Sequence, residues 1–445
     1  MKPQPTLERN VVRLLTLLLV LLAPACCSAQ KWVSPNYDNH HLDYRDLGYP
    51  GVSEIPADDS RISALVTSAA GDVYGATSGK QAYLFVFDRY TNKVRPLGQL
   101  PGAAGVHHTL VEGAEGALYA GTGLNLLDEI PLTKDFPGGH RQVEKQLEKD
   151  VLAHHGDYAG GKILLIDTGA VADEVYLPGD ETPVRDLGVV APRNSVYALT
   201  YNPVNKKLYG LTYPDALFFE VDPEAGQIKV IGPLLSRFVY SGPERTWRSV
   251  PRSLLCLENG DILTSGDDGL ISRFSIESGE WTATEMRIPG EYWESANYYG
   301  YPVVEQLHPA SPGDPVWGTT SDGFVFELRM AQGEIRNHGK PRVPRRVRAS
   351  SLAADGELYM ICGQIDEPCK LLSFDTRRHK GYKNWSYLSV DRSPYYAKRA
   401  YQFDAMTVGA DGTVFIGESD RRGKLFLFTP GGEFFLGGLN PKNPR

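Results

Sequence analysis

The chain has 445 residues, a formal charge of −8, 46 Gly, 31 Pro and only 5 Cys. That Gly and Pro content is too low for a collagenous or low-complexity chain, and so few cysteines cannot staple a domain of this size. The acidic balance argues against nucleic acid as a partner, because phosphate binding wants a basic surface. A uniformly acidic surface would also repel a polyanionic carbohydrate.

At the N-terminus, Lys2, Arg9 and Arg13 precede an apolar run from Leu14 to Ala23. A run of roughly ten residues suits the core of a secretory signal and is too short to cross a bilayer. Cys27-Ser28-Ala29 offers small residues at both positions a signal peptidase reads. Residues 1–29 are therefore expected to be a signal peptide, cleaved after Ala29. A lipoprotein site at Cys26 is the competing reading, but Ala23-Pro24-Ala25 lacks the usual leucine. Cleavage removes three basic residues and one acidic residue, leaving 43 basic against 53 acidic and a charge of −10. No later stretch is long and apolar enough to span. The expected product is a secreted or periplasmic monomer without a membrane span.

A repeat organises the rest. Gly71-Asp72-Val73-Tyr74-Gly75-Ala76-Thr77 recurs as Gly116-Ala117-Leu118-Tyr119-Ala120-Gly121-Thr122 and as Lys206-Lys207-Leu208-Tyr209-Gly210-Leu211-Thr212. Weaker copies centre on Leu263, Trp317, Tyr359 and Phe415, which makes seven. An apolar, alternating segment follows each copy: 82–88, 162–167, 216–222, 269–276, 323–329, 370–375 and 424–428. Turn signals such as Asn259-Gly260, Asp355-Gly356 and Asp411-Gly412 fall between them. Short strands in seven units of about 45–55 residues predict an all-β fold, a seven-bladed β-propeller over residues 30–445. A β-sandwich or β-helix is the alternative. Residues 41–50 are placed to supply the outer strand of the last blade.

Up-and-down strands put the long loops between blades and the loops between second and third strands at one end of the ring. Those loops are rich in His, Arg, Tyr and Trp, so function is expected there, at the axial mouth. Tyr74 and Leu84 are 10 residues apart, whereas the matching Tyr119 and Ile163 are 44 apart. About 34 extra residues, near 123–158, thus sit in blade two. They include an amphipathic stretch around Val143 to Leu152 and three histidines, His140, His154 and His155. An insertion this long in a compact domain is usually functional or disordered, and a wall or lid over the mouth is expected.

Counting back eight residues from each turn glycine, or its equivalent, gives one position per blade: Ser63, His108, Ala198, Arg252, Gln306, Arg348 and Asp404. Most are polar, yet each opens a strand that runs into the core. Buried charge is costly unless paired or wet, so the ring marks a solvated axial site or a structural polar channel. The loops before blades four to seven add Tyr240, Arg248, Tyr299 and Tyr396. Aromatic rings there can stack on sugars, and arginines can grip carboxylate or sulfate in bidentate fashion. The bland account is that half of these aromatics fill blade interfaces. There is no G-x-S-x-G elbow and no H-E-x-x-H zinc motif. Cys362 and Cys369 bracket one hairpin loop, which suits a disulfide after export, with metal binding as the weaker reading, and Cys256 is expected as a buried free thiol. One chemistry uses His, Tyr and Arg together: β-elimination on a uronic-acid polysaccharide. His or Tyr takes the C5 proton, Arg neutralises the carboxylate, and Tyr or His protonates the leaving oxygen.

The segments Asp72-Val73-Tyr74-Gly75-Ala76-Thr77-Ser78-Gly79, Leu84-Phe85-Val86-Phe87-Asp88, Gly105-Val106-His107-His108-Thr109-Leu110-Val111 and Pro251-Arg252-Ser253-Leu254 resemble the propeller-fold polysaccharide lyases, especially the ulvan lyases. The resemblance covers nearly the whole chain after residue 29. It implies a lyase acting on a uronic-acid-containing, ulvan-like polysaccharide, with or without sulfate groups. It implies catalytic roles for His108, with His107 as alternative, for Tyr240 and for Arg252. The second histidine falls in the insertion, at His155 with His140 and His154 beside it. Arg248, Arg348, Tyr299, Tyr396 and the remaining histidines would bind substrate. The chemistry needs no cofactor, although the resemblance allows a structural zinc or calcium ion. A non-catalytic carbohydrate-binding or scaffold propeller is the alternative. Arg237, Arg245, Arg248, Arg252, Arg345, Arg346, Arg348 and Arg399 are all assigned to one face, so a basic mouth is expected despite the acidic total.

Overall fold

In the computed structural model, the structure describes residues 55–88, 93–128, 149, 151–171, 176, 179–236, 250–295, 298–309, 314–341, 346–363, 369–388, 402–419 and 423–430. The expected signal peptide and the strand expected from residues 41–50 lie outside them.

Each repeat folds as one antiparallel sheet with its strands in chain order, and seven such sheets form a seven-bladed β-propeller. Blade one runs Arg61–Thr67, Val73–Ser78, Tyr83–Asp88 and Lys93–Gln99. Blade two starts at Leu110–Glu112, blade three at Ser195–Asn202 and blade four at Leu255–Cys256. The last three start at Val304–His308, Arg346–Leu352 and Phe403–Val408. Blade seven has three strands among the described residues. Blade two breaks the pattern where expected, between Leu118–Gly121 and Lys162–Ile166.

The repeat has a packing reason. Gly75 lies opposite Phe85 in the next strand, and a Cβ at that glycine would sit 2.1 Å from the phenyl ring. Gly210 faces Phe219 in the same way, again at 2.1 Å. The missing side chain lets the ring lie flat on the sheet and reach the neighbouring blade. The turn after the inner strand needs a left-handed residue: Gly71 has φ 92°, and Lys206 fills the equivalent place with φ 58°.

Neither face of a blade is left bare. Apolar clusters fill all seven seams, for example Ala64 and Tyr74 with Leu110 and Leu118 between blades one and two. Ring closure is direct: Thr67 Oγ1 meets Thr407 Oγ1 at 3.0 Å, and Ser419 Oγ donates to the Ile62 carbonyl at 2.9 Å. Burying each side chain such as Phe85 or Phe219 contributes about 1.5–3 kcal/mol, so closure stabilises every blade through both neighbours.

The expected disulfide does not form. Cys362 pairs in register with Lys370, not with Cys369. Alternation along the strands then sends the two thiols to opposite faces of blade six. Cys362 packs with Trp317 against blade five, and Cys369 with Phe403 against blade seven. Neither is in a disulfide, and both are buried. Cys256 is also a free thiol, but half-buried, with Sγ 3.4 Å from the Leu257 carbonyl.

Candidate functional site

The inner strands carry a shared irregularity that builds the axial site. Pairing with the second strand skips one residue in five blades: Ser63, Tyr197, Glu305, Arg348 and Asp404. A bulge re-aims one side chain out of the pleat. In three of these blades the skipped residue is the one the glycine count selects. In blades three and five, which lack the turn glycine, it is one residue earlier. Tyr197 and Glu305 thus replace the expected Ala198 and Gln306. Both were missed because the count was anchored on Lys206 and Asp314, whose turns differ in length.

Four charged side chains and one histidine meet around the axis. Arg252 Nη1 donates to Glu305 Oε1 at 2.6 Å, and Arg252 Nη2 to Asp404 Oδ2 at 3.0 Å. Arg348 reaches the same two carboxylates, Glu305 at 3.4 Å and Asp404 through a short contact. His108 Nε2 lies 3.3 Å from Asp404 Oδ2 and in short contact with Arg252 Nη2. Arg252, Glu305, Arg348 and Asp404 are all buried. Two guanidiniums balance two carboxylates, so this cluster adds no net charge. The basic mouth expected from Arg252 and Arg348 is cancelled locally by Glu305 and Asp404. The other arginines of that expectation have side chains outside the described residues.

Burial and charge set the protonation states. Burial opposes ionisation of Asp404, but Arg252 and Arg348 outweigh it and hold the carboxyl well below its usual range. Burial, with Arg252 beside it, pushes His108 down, so its imidazole is neutral at pH 7. Burial works against the Arg252 charge too, yet Asp404 and Glu305 more than restore it and the guanidinium stays protonated. Its Nε is buried with no hydrogen-bond partner. His108 is also one of the few non-glycine residues in the left-handed region, at φ 58°. Such conformations cost about 1–3 kcal/mol and cluster at functional sites.

The adjacent His107 has a different position. It is 3% exposed, and its Nε2 accepts the Leu126 N–H at 3.0 Å, pinning the start of the insertion. Burial lowers it to about 3. His155 follows a helical stretch at 151–154, is buried, and sets Nδ1 3.1 Å from the Arg193 carbonyl. Its ring edges onto Tyr213, and Tyr213 packs on Tyr197 at 5.3 Å. Tyr197 in turn is close enough to Arg252 to act on its charge. The insertion is therefore connected to the axis through three rings. His154 is exposed, 5.6 Å from the His155 ring. Tyr299 lies in the hairpin strand Tyr298–Gly300, with its side chain outside the described residues. His140, Tyr240, Arg248 and Tyr396 also lie outside them. Of the predicted site residues, the structure brings His108, Arg252 and Arg348 together.

Among the described residues, one group has metal-ligand spacing, and it is away from the axis: Glu327, His338 and His379. No helix among them is long and apolar enough to cross a membrane.

No protein-family model matches the chain, and no curated protein matches it. Among solved structures it is similar to the extracellular domain of a hybrid two-component system from B. thetaiotaomicron, at 13% identity and TM-score 0.48. That match covers 84% of this chain and 38% of the other, so the chain spans well under half of it. It is also similar to U3-55K and to the WD40 repeats of RRP9, each at 11% identity and TM-score 0.45. These cover 80% of this chain, and 88% and 87% of theirs.

Proposed function

We propose that the chain is an exported lyase that cleaves a uronic-acid-containing, ulvan-like polysaccharide by β-elimination at the axial mouth. The observation that carries this reading is the contact between His108 and Arg252, residues 144 positions apart. A neutral imidazole beside a permanent cation is the pair that proton abstraction next to a carboxylate requires. Once the substrate carboxylate draws Arg252 Nη2 away from His108 Nε2, the Nε2–H points to Asp404 and Nδ1 keeps the free lone pair. Nδ1 then takes the C5 proton, the electrons form the C4–C5 double bond, and the bond from C4 to the glycosidic oxygen breaks. A tyrosine phenol protonates the leaving oxygen. Tyr240 is the candidate by resemblance, and Tyr197 is the phenol placed near Arg252. The substrate carboxylate must share Arg252 with Asp404, so binding re-partners that guanidinium.

A second reading rests on the same cluster. Both arginines already have carboxylate partners, which suits a structural polar core in a propeller that binds carbohydrate without cleaving it. One experiment separates the two. The full chain is incubated with ulvan, pectate, alginate and glycosaminoglycans while unsaturated-uronate absorbance and reducing ends are followed together. The lyase reading expects both signals, and His108→Ala should slow them by about 10²–10⁴-fold with an unchanged melting temperature. Saturable binding without product would replace it with the second reading. Reducing ends without absorbance would make the protein a hydrolase.

A further inference from the structure

The seam between blades five and six holds a donor set with no role in the axial chemistry. Glu327 lies in the third strand of blade five, Val325–Arg329, and is 1% exposed. His338 follows the outer strand Glu334–Asn337 of the same blade. His379 comes from blade six, in the turn between Cys369–Asp375 and Tyr382–Leu388. His338 Nε2 is 3.1 Å from Glu327 Oε2, and His379 Nε2 is 4.0 Å from the same oxygen. One donor atom from each residue falls within 4.8 Å of the others. Tetrahedral zinc with bonds of roughly 2.0–2.1 Å sets its ligand atoms about 3.3 Å apart. The histidine–carboxylate pair is already at that separation, and the exposed His379 needs only a small inward swing.

Three further features fit a built site. Trp317 and Phe374 flank both imidazoles, at ring distances of 5.0 and 5.3 Å for His338 and 5.6 and 6.4 Å for His379. Arg329 Nε donates to Glu327 Oε1, which leaves Oε2 as the oxygen turned to the histidines. His379 itself sits at φ 52°, in a turn place where glycine or asparagine is the easy choice. The group also adjoins a cavity of about 530 Å³, lined by Asp314, Trp317, Glu327, Arg329, Arg377 and His379 among others. A fourth ligand position would therefore open to solvent. Arg336 lies 3.9 Å from Oε2 and competes for the carboxylate, but it is 43% exposed and free to swing out.

We propose that Glu327, His338 and His379 bind one divalent transition-metal ion, zinc above all, which ties blade five to blade six. Two imidazoles and one carboxylate suit zinc, nickel or cobalt, whereas calcium wants six or more oxygens. The ligands come from two blades, so the ion acts across a seam already held by packing and by hydrogen bonds such as Tyr382 Oη–H to the Gly339 carbonyl. The proposal is independent of the axial reading and is tested without substrate.

The test uses the full chain, stripped with a chelator and titrated with zinc chloride in a calorimeter, with calcium chloride as the parallel probe. The expected result is saturation at one equivalent of zinc, no calcium heat, and a higher melting temperature with zinc. His379→Asn, which suits the left-handed backbone, should keep the fold by circular dichroism and weaken binding by at least about tenfold. Glu327→Gln should weaken it as well. Absence of saturable zinc binding in the folded wild type would overturn the proposal. So would wild-type zinc affinity in folded His379→Asn, or calcium binding as tight as zinc. Those results would leave Glu327 as an anchor for arginine and histidine side chains.

Discussion

Two clusters of charge and imidazole sit in this propeller, and they solve opposite problems. At the axis, Arg252 and Arg348 face Glu305 and Asp404, and His108 touches two of the four. Every charge there is matched and buried. At the seam of blades five and six, one carboxylate collects two imidazoles and two arginines, and the members grade from buried Glu327 to exposed His379. The axial cluster is held by three inner strands and by the segments that lead into two more, so removing one of its charges strands the others. The seam cluster has surplus donors and solvent within reach. Matched buried charge specifies a structure, whereas surplus donors beside water leave room for a ligand.

The sharpest way to break this contrast is to remove a charge from the axis. Asp404 accepts from Arg252 and Arg348 and faces His108, so Asp404→Ala leaves two guanidiniums to share Glu305. Truncating one side of a buried charge pair typically costs about 3–5 kcal/mol, because the partner stays buried and uncompensated. We expect a loss of that size in chemical denaturation of Asp404→Ala. Arg252→Ala should fall in the same class, which makes it a poor reporter of catalysis and His108→Ala the better one. A loss below about 1 kcal/mol for Asp404→Ala would mean that water screens the axis and that the cluster is open.

The division between what the chain shows as a string and what it shows only folded follows the same contrast. Blade number and blade order were legible because a short apolar repeat recurs seven times, five copies carry a turn glycine, and Gly75, Gly210 and Gly318 each face a phenylalanine ring across the strand. His108, Arg252, Arg348 and Asp404 were legible because the turn glycine keeps the register. Tyr197 and Glu305 were not, since a bulge moves the aimed residue by one and no glycine marks the turn. The seam cluster was illegible for a different reason. Its members come from two blades, at spacings of 11 and 41 residues that match no motif. Only the packing of one blade on the next brings them together. His107 and His108 show the limit at single-residue scale: a left-handed φ at the second turns one ring to the axis while the first stays in the wall.

A milder perturbation is acid. His107 is lowered to about 3 and His308 to about 4, both by burial, and His108 is lowered as well. Each folded-state value lies below the unfolded value, so the unfolded chain takes up the proton first. Stability is complete above the unfolded histidine range and is lost as the pH falls towards the folded values. Each such group contributes about 1.4 kcal/mol per pH unit once below roughly pH 6.5. Asp404, also depressed, adds a loss of the same sign further down, below the unfolded carboxylate value. Denaturation midpoints at pH 7, 6 and 5 should therefore fall steadily, before any carboxylate titrates. His308→Gln, which removes one of the three, should flatten the slope. A flat profile from pH 7 to 5 would show that these imidazoles reach water, and the distinction between a closed axis and an open seam would lose its axial half.

The smallest expected effect is none, and it tests the strand register that separates the two clusters. Cys362 faces the seam with blade five, where Trp317 backs the histidine pair, and Cys369 faces the seam with blade seven, where Phe403 precedes Asp404. Burial raises Cys362 beyond the ordinary thiol range and Cys369 to about 12, so neither is a thiolate at neutral pH. Thiol exchange needs the thiolate and an accessible sulfur, and these have neither. A reductant should leave the melting temperature unchanged, and a thiol reagent should label neither residue until the chain unfolds. A drop on reduction would require both sulfurs on one face, which means slipping Cys369–Asp375 by one residue against Glu357–Gly363. That slip would carry His379 out of the seam, so a single null measurement supports the geometry of the seam cluster.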